Sequence, residues 1–387
     1  MSSYPKQAQN RAGVSSKRPG VLGLAVLSMV SSRASSVAPP PPQVRYEIRG
    51  AVPSDQGELL RLARHLNSVN LPDEPGHIAR LLEASEKSFL GQIENPRRRK
   101  YVFLIRDRER GEAVGTSTIV AQLGRRDAPY IYLDVSTEEK YSASTDRHFH
   151  HQVLRIGFSY DGPTELGGLV VHPEHRRVDE KLGLLISYVR FLFIATHREL
   201  FKNELLAELM PPLEPDGTSH LWEAFGRRFT DMTYAEADLR SSEDKTFIRD
   251  LFPRGEVYAS LLARDAQDVI GKVGAQTRGV ERMLRRIGFR YAERIDPFDG
   301  GPHFVADADE VSLIQNSRRL AFGGALGPHE PPSGARVLVA RELKEAPFFR
   351  AVACRASESD GQLRLPAEFA AVLGVEPGEL LGLLPLP

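Results

Sequence analysis

The chain is predicted to be an α+β protein: a mixed central sheet flanked by helices, with a duplicated half-unit and a small C-terminal β-rich tail. Short alternating or apolar runs of strand length recur from residue 44 onward. Long helical patterns are few, so the helices are expected to pack onto a sheet rather than against one another. A helix closing on glycine before an aromatic residue occurs twice, at 219–229 (SHLWEAFGRRF) and 278–291 (RGVERMLRRIGFRY), which reads as a duplicated half-unit rather than a solenoid.

Residues 44–49, VRYEIR, alternate as a strand should, and Ser54 with Asp55 offers an N-cap for a helix carrying Leu59, Leu60, Leu62 and Ala63. Residues 101–106 (YVFLIR) and 113–120 (AVGTSTIV) read as a hairpin turned at 108–111. Further strands are expected at 130–135 and 153–158. Residues 165–186, ELGGLVVHPEHRRVDEKLGLLI, join the apolar run Leu169, Val170 and Val171 to a turn stopped by Pro173, made basic by Arg176 and Arg177, and then to an apolar helix over 182–195. Residues 204–210 read as a buried strand, 219–229 as a short capped helix closing at Gly226, and 241–268 as a polar, helix-like stretch. The Gly- and Pro-rich residues 323–334 form the linker to a tail with strands at 337–341 and 348–354, a further run at 363–365 and an apolar end at 380–386. The expected division is a disordered Pro/Ser-rich leader at 1–43, domains at 44–235 and 236–322, and a small β-rich domain at 335–387.

Composition narrows the function without naming it. Lys+Arg and Asp+Glu both number 51, a formal net charge of zero, so nothing points to nucleic acid or a membrane surface. A hydrophobic fraction of 41% with 26% charged residues is ordinary globular usage. The single cysteine, Cys354, cannot form an internal disulfide, and no Cys/His cluster has zinc spacing, which fits a reducing cytoplasm. His148, His150 and His151 show no facing partner in the sequence, and no metal is assigned. The leader carries Lys6, Arg11, Lys17 and Arg18 ahead of VLGLAVLSMV at 21–30, a loose copy of a signal peptide that is too short to span a bilayer. It reads as a disordered leader or a misplaced start.

A helix start beside Arg176 and Arg177 is an anion site, because unpaired N–H groups and the helix dipole both favour negative charge there. If the strand before it splays from its neighbour, its free N–H groups can polarise a carbonyl. The alternative is an ordinary strand, loop and helix with two solvated arginines. Glu208, in the next buried strand, is a candidate general base, since desolvation raises a carboxyl pKa toward a useful range. Tyr258 is a candidate proton donor. Either residue can equally be an edge carboxylate or a core phenol. Asp299, in FDGGP, stands against two glycines and could pair with a cationic ligand, or simply make the tight turn that Asp-Gly favours.

Six blocks in order carry a resemblance: YVFLIRD at Tyr101, TELGGLVVHPEHR at Thr164, RFLFIA at Arg190, AE at Ala207, AQDVIGKV at Ala266 and IDPFDGGP at Ile295. Over residues 44–320 the chain resembles the arginine N-succinyltransferase family and, more distantly, the GNAT superfamily of N-acetyltransferases. The resemblance implies an acyl-CoA N-acyltransferase-like fold, with 44–235 binding CoA and 236–322 completing the substrate site. It implies succinyl-CoA as co-substrate with no permanently bound cofactor, and transfer to the α-amine of L-arginine, in some members also ornithine, in arginine catabolism. It also implies a homo- or hetero-oligomer. Leu169 matches the family's succinyl-CoA contact, with Val170 and Val171 beside it, and Arg176 and Arg177 match its basic turn.

Two departures accompany the match. Of the family's Arg-x-x-Gly-x-Gly phosphate loop only Gly183 remains, and Asp179 and Glu180 lie close by. Where the family has a proton-donating histidine after AQDVIG, this chain has Gly274. The proton transfer then falls to Glu208, Tyr258 or a water; His220 and His303 are imidazoles that the sequence does not place. Runner-up readings are another acyl-CoA or amine, or a non-catalytic subunit that binds CoA or a partner.

Overall fold

Among the described residues, alternation along the chain becomes one sixteen-stranded sheet, in the order β14-β15-β11-β16-β12-β13-β1-β2-β3-β6-β7-β10-β9-β4-β5-β8. The computed structural model describes residues 44–387 apart from 66–70, 72, 126–127, 215, 242–243 and 328. The expected leader lies outside the described residues. Residues 42–387 form one unit.

The first strand, β1 (Tyr46–Gly50), lies between β2 (Lys100–Asp107) and β13 (Phe349–Arg355). The helices α1 (Gln56–Ala63) and α2 (Pro75–Phe89) follow it and cover one face of the sheet, burying Leu59, Leu62, Ile78 and Leu82 against Val102, Leu104 and Val170. Ser54 is exposed and caps nothing. The turn is held instead by Asp55, whose carboxylate accepts from Val52 N–H at 2.8 Å and from the Arg49 guanidinium at 2.8 and 2.6 Å. An ionised carboxylate satisfies the helix start better than a hydroxyl when a buried arginine neutralises it.

β2 and β3 (Glu112–Val120) form the expected hairpin. The strands expected at 130–135 and 153–158 are longer, β4 (Tyr130–Ser142) and β5 (Arg147–Ser159), because their polar outer halves continue the pairing into solvent. β6 (Thr164–Val171), α3 (Leu182–Thr196) and β7 (Glu204–Glu208) follow the reading closely. α3 is apolar nearly all round because it is enclosed: Phe191, Leu192, Phe193 and Ile194 pack against Tyr101, Phe103, Phe349 and Leu384.

The helix expected to close at Gly226 runs on. Trp222–Gly226 forms a π-helical turn that continues as α4 (Arg227–Thr230). Gly226 is there for the indole rather than for a cap, since a Cβ on it would lie 2.3 Å from the Trp222 ring. Short helices α5 (Tyr234–Ser241) and α6 (Thr246–Leu251), the two-residue strand β8 (Val257–Tyr258) and α7 (Arg264–Val269) fill the stretch read as helix-like. α8 (Arg278–Arg286) ends at Gly288, whose φ of +114° suits glycine, and leads into β9 (Arg290–Ile295). β10 (Pro302–Asp307) and α9 (Ser312–Gln315) complete this part.

The expected linker is partly strand. Gly323 and Gly324 belong to β11 (Arg318–Ala325), with Gly324 at a register shift and φ of +119°. Glycine there makes a bulge rather than a loose connection. β11 pairs with β15 (Gln362–Leu365) and β16 (Leu380–Pro385), while β12 (Arg336–Glu342), β13, β14 (Ser357–Ser359) and α10 (Ala367–Leu373) add a second core around Val339, Leu363, Leu373 and Leu383.

Candidate active site

β6 decides the site. On its β3 side it is paired from Glu165↔Val120 to Val171↔Gly115; toward β7 only Thr164↔Leu205 and Glu165↔Leu206 pair, in parallel. β7 continues against β10 instead, with Glu208 opposite His303. The two parallel strands therefore part, and the fork bares one backbone edge of β6. A bulge aims that edge: Gly168 and Leu169 together face Ser117, and Gly168 has φ +57°. A Cβ on Gly168 would come within 2.7 Å of Thr118 Oγ1. Gly168→Ala is expected to cost about 1–3 kcal/mol through a strained left-handed alanine and that contact, measured by urea denaturation. Arg190, buried on α3, donates to Gly167 O at 3.3 Å and to Ser187, steadying the bulge; burial pushes its guanidinium down to about 9.

A cavity of about 260 Å³ opens at the fork, with Gly167, Gly168 and Thr118 on one wall and Glu165, Glu208 and Asp296 on another. Lys100, Lys245 and Arg125 add positive charge, so the cavity has acidic and basic parts. Glu208 keeps 22% of its side chain open to this space, reachable yet away from bulk water. Burial, then repulsion by Glu165 and Asp296, raises its carboxyl well above the ordinary range. Burial likewise raises Asp296, and Asp238 to about 7, and lowers Lys100. His303 has no exposed surface: Nδ1 lies 2.7 Å from Tyr130 Oη, whereas Nε2 stands 3.6 Å from Glu208 Oε1 and makes no hydrogen bond. Burial pushes this imidazole down to about 3.

The residues named from sequence fall in different places. Leu169 sits at the bulge, half-buried against the α3 core; Val171 packs in that same core and Val170 on the opposite face, so backbone groups are what this strand can offer a ligand. Arg176 and Arg177 are exposed in the turn before α3, and Arg176 Nε donates to Val171 O at 2.9 Å, tying turn to strand end. Gly183 is the exposed second residue of α3, in the first turn, where Leu184 N–H already donates to Lys181 O at 2.9 Å. Asp179 is exposed, and the carbonyl of Glu180 accepts from Arg336 of β12 at 3.0 Å. Glu208 lines the cavity. Asp299 folds onto its own turn, accepting from Gly301 N–H at 2.7 Å, with burial and Asp296 raising its carboxyl. Tyr258 donates to Glu138, and among the described residues it does not line the cavity.

Sequence reasoning passed over Asp296, which stands three residues before Asp299 in the same block. His303 follows that block directly, and only the β7–β10 register brings it to Glu208. His148 and His150 do have a facing partner: the β4–β5 hairpin sets Glu139 beside them at 3.7 and 3.4 Å. At Gly274 there is no room for a side chain. Its N–H donates to Met210 O at 2.8 Å, and a Cβ would lie 2.5 Å from Pro211 O and 3.0 Å from Met210 O.

A mixed sheet parted between two parallel strands, with a helix following a basic turn after one and a carboxylate at the end of the other, is the frame of an acyl-CoA N-acyltransferase. The family model described as arginine N-succinyltransferase beta subunit matches residues 46–313, and the chain belongs to that family. It is 32% identical over 337 residues to the arginine N-succinyltransferase of Yersinia enterocolitica, covering 86% of this chain and 95% of that protein. The Escherichia coli strain 536 protein of the same name is 32% identical over 344 residues, 88% of this chain and 97% of its own. The solved arginine/ornithine succinyltransferase subunit AI of Pseudomonas aeruginosa superposes with a TM-score of 0.75 at 28% identity, covering 88% of this chain and 98% of that one. No described helix is long and apolar enough to cross a membrane.

Proposed function

We propose that the chain transfers the succinyl group of succinyl-CoA to the α-amine of L-arginine, releasing CoA and N2-succinyl-L-arginine in arginine catabolism. The observation that carries this reading is Glu208, a carboxylate of raised pKa standing in the fork beside the bared edge of β6. In this reading the backbone of Leu169, Val170 and Val171 holds the thioester carbonyl, while Arg176, Arg177 and the α3 start at Gly183 receive the phosphates. Glu208 takes one proton from the ammonium, and the freed nitrogen lone pair attacks the thioester carbon. The C–N bond forms, the C–S bond breaks with its electron pair on sulfur, and of the two protons left on nitrogen one passes to the thiolate while the other stays as the amide N–H. Asp299, with Asp296, favours a cationic acceptor by charge. No bound cofactor is needed beyond the acyl-CoA co-substrate.

Purified protein is expected to release thiol from succinyl-CoA only when arginine, or more weakly ornithine, is present; folded protein without amine-dependent release sinks the reading. The loss of the family histidine at Gly274 favours one second reading, a CoA-binding subunit without turnover, which predicts that CoA raises Tm while no thiol appears. Tyr258→Phe separates the candidate thiolate donor from a strand-edge contact. Because its hydroxyl is committed to Glu138, kcat is expected to stay within about threefold, whereas loss of a working acid costs about a hundredfold or more. We place the enzyme in the cytoplasm, as a homo-oligomer or paired with a paralogous subunit, in keeping with the Pseudomonas relative's description as a subunit.

A further inference from the structure

We propose that the ammonium group of the acceptor is seated between Glu208, Asp296 and the open Nε2 of His303, so that His303 supplies this active site with the imidazole that the Gly274 position does not. The inference rests on the amine-acylation reading above and deepens it.

The backbone brings the groups together. Glu208 on β7 and His303 on β10 are directly opposed in the antiparallel ladder, so their side chains leave the same face of the sheet. Asp296 comes from the turn after β9, on the other side of β10. One ligand atom from each of the three lies within 4.8 Å of the others. A nitrogen can be placed at most about 2.8 Å from each corner of such a triangle, within hydrogen-bond reach. A primary ammonium has three N–H donors. The site offers three acceptors.

His303 is built for this and for little else. Its ring is wholly buried, its Nδ1 is held by Tyr130, and its Nε2 has no partner among the described residues. A buried imidazole nitrogen without a partner is costly to keep, and a ligand that supplies the missing donor removes that cost. If Nδ1–H donates to the Tyr130 oxygen, Nε2 presents a lone pair. The charged groups acting on the ring are Glu208 from β7, Arg294 from β9 and Lys245 ahead of α6, with the Tyr130 phenol on β4. Burial, aided by the two cations, keeps the imidazole neutral, so it accepts a hydrogen bond from the ammonium instead of repelling it. Glu208 remains the group that takes the proton, and His303 holds the nitrogen while it does. Glu208 and Asp296 raise one another's need for a cation between them. The cavity reaches both carboxylates, which line it, and His303 Nε2 lies 3.6 Å beyond Glu208 Oε1 without itself lining it.

A divalent metal ion is the competing occupant, because two carboxylates and an imidazole also suit one. The test uses the full chain labelled with ¹⁵N-histidine, with the His303 signals identified as those missing from His303→Gln. With CoA present, titrated arginine is expected to shift the His303 Nε2 resonance. His303→Leu is expected to raise KM for arginine tenfold or more while KM for succinyl-CoA stays within twofold, and His303→Gln, which keeps an acceptor, is expected to recover most of that loss. An unmoved Nε2 signal at saturating arginine overturns the seat. So does an unchanged arginine KM in His303→Leu that is folded by circular dichroism, and so does a shift produced by Zn²⁺ and abolished by EDTA with none from arginine. The spectrum needs no turnover: an arginine-dependent shift in a protein that transfers nothing supports the seat and overturns only the succinyl-transfer reading.

Discussion

Glu208→Gln is expected to lower kcat by about 10²–10⁴ while leaving the fold intact, because it removes a positioned proton acceptor and keeps the side chain's shape. The isostere matters. Glu208 makes no hydrogen bond to His303, at 3.6 Å, so an amide breaks no existing contact there. The pH profile gives the more specific reading. Burial raises the Glu208 carboxyl above its ordinary value of about 4.3, and only the carboxylate can take a proton, so wild-type kcat/KM is expected to fall as pH drops through that raised pKa. In the Gln variant this acid limb should vanish from whatever activity remains. Stability carries the opposite sign. An acid whose folded pKa is raised contributes fully below its unfolded pKa and loses that contribution as pH rises through the folded one. Glu208→Gln should therefore gain in Tm relative to wild type as pH increases, since the wild type must then bury an ionised carboxylate. A constant difference between the two proteins across pH would contradict the placement of Glu208 in a desolvated cavity.

Gly274→His is expected to destabilise the protein by about 3 kcal/mol and to leave turnover no higher than wild type, although it supplies the imidazole that the family resemblance implies there. A Cβ at this position meets the Pro211 carbonyl oxygen at 2.5 Å and the Met210 oxygen at 3.0 Å, both backbone atoms that cannot rotate away. The same loop is fastened to that segment by Gly274 N–H and by Thr277 Oγ1, which donate to Met210 O at 2.8 and 3.0 Å. An added side chain must break this docking or push back residues 210–211, which lie two and three positions after Glu208. Forced overpacking of this kind typically costs 1–3 kcal/mol. Chemical denaturation with and without CoA measures it. A stable, more active Gly274→His would show that the loop can lift from the strand end and that an imidazole belongs there.

Much of this architecture was legible because it depends on local pattern. The apolar run Leu169–Val171, the stop at Pro173 and the apolar residues 182–195 each specify their own backbone, and β6, the turn and α3 lie where periodicity put them. Glu208 was visible as a lone acid ending a buried strand. His303 was not placed, because its meaning depends on strand pairing across almost a hundred residues of sequence, and nothing in PHFVAD says which strand will lie opposite. Asp299 drew attention through its glycines, yet those glycines serve the turn that Asp299 itself closes, while the cavity is faced by Asp296. Ser54 with Asp55 read as the cap of α1, yet neither side chain caps that helix: Asp55 reaches back to Val52 N–H and to the buried Arg49 guanidinium, a partner that only the fold supplies. The tight space at Gly274 is a property of two segments in contact, so the sequence records the substitution without its reason.

The position of β1 has a consequence for how the molecule is made. Its partner β2 follows within some fifty residues, but its other edge pairs with Ala351 and Arg350, about three hundred residues further along the chain. Until those residues emerge, one row of its N–H and C=O groups has no strand to meet. Contacts of such long sequence separation are slow to form, and open edges invite pairing with other chains. The growing polypeptide must therefore carry an unfinished sheet until residues 350 and 351 have been made. Its yield in the cell should depend on chaperones that shield that edge, more than its final stability would suggest.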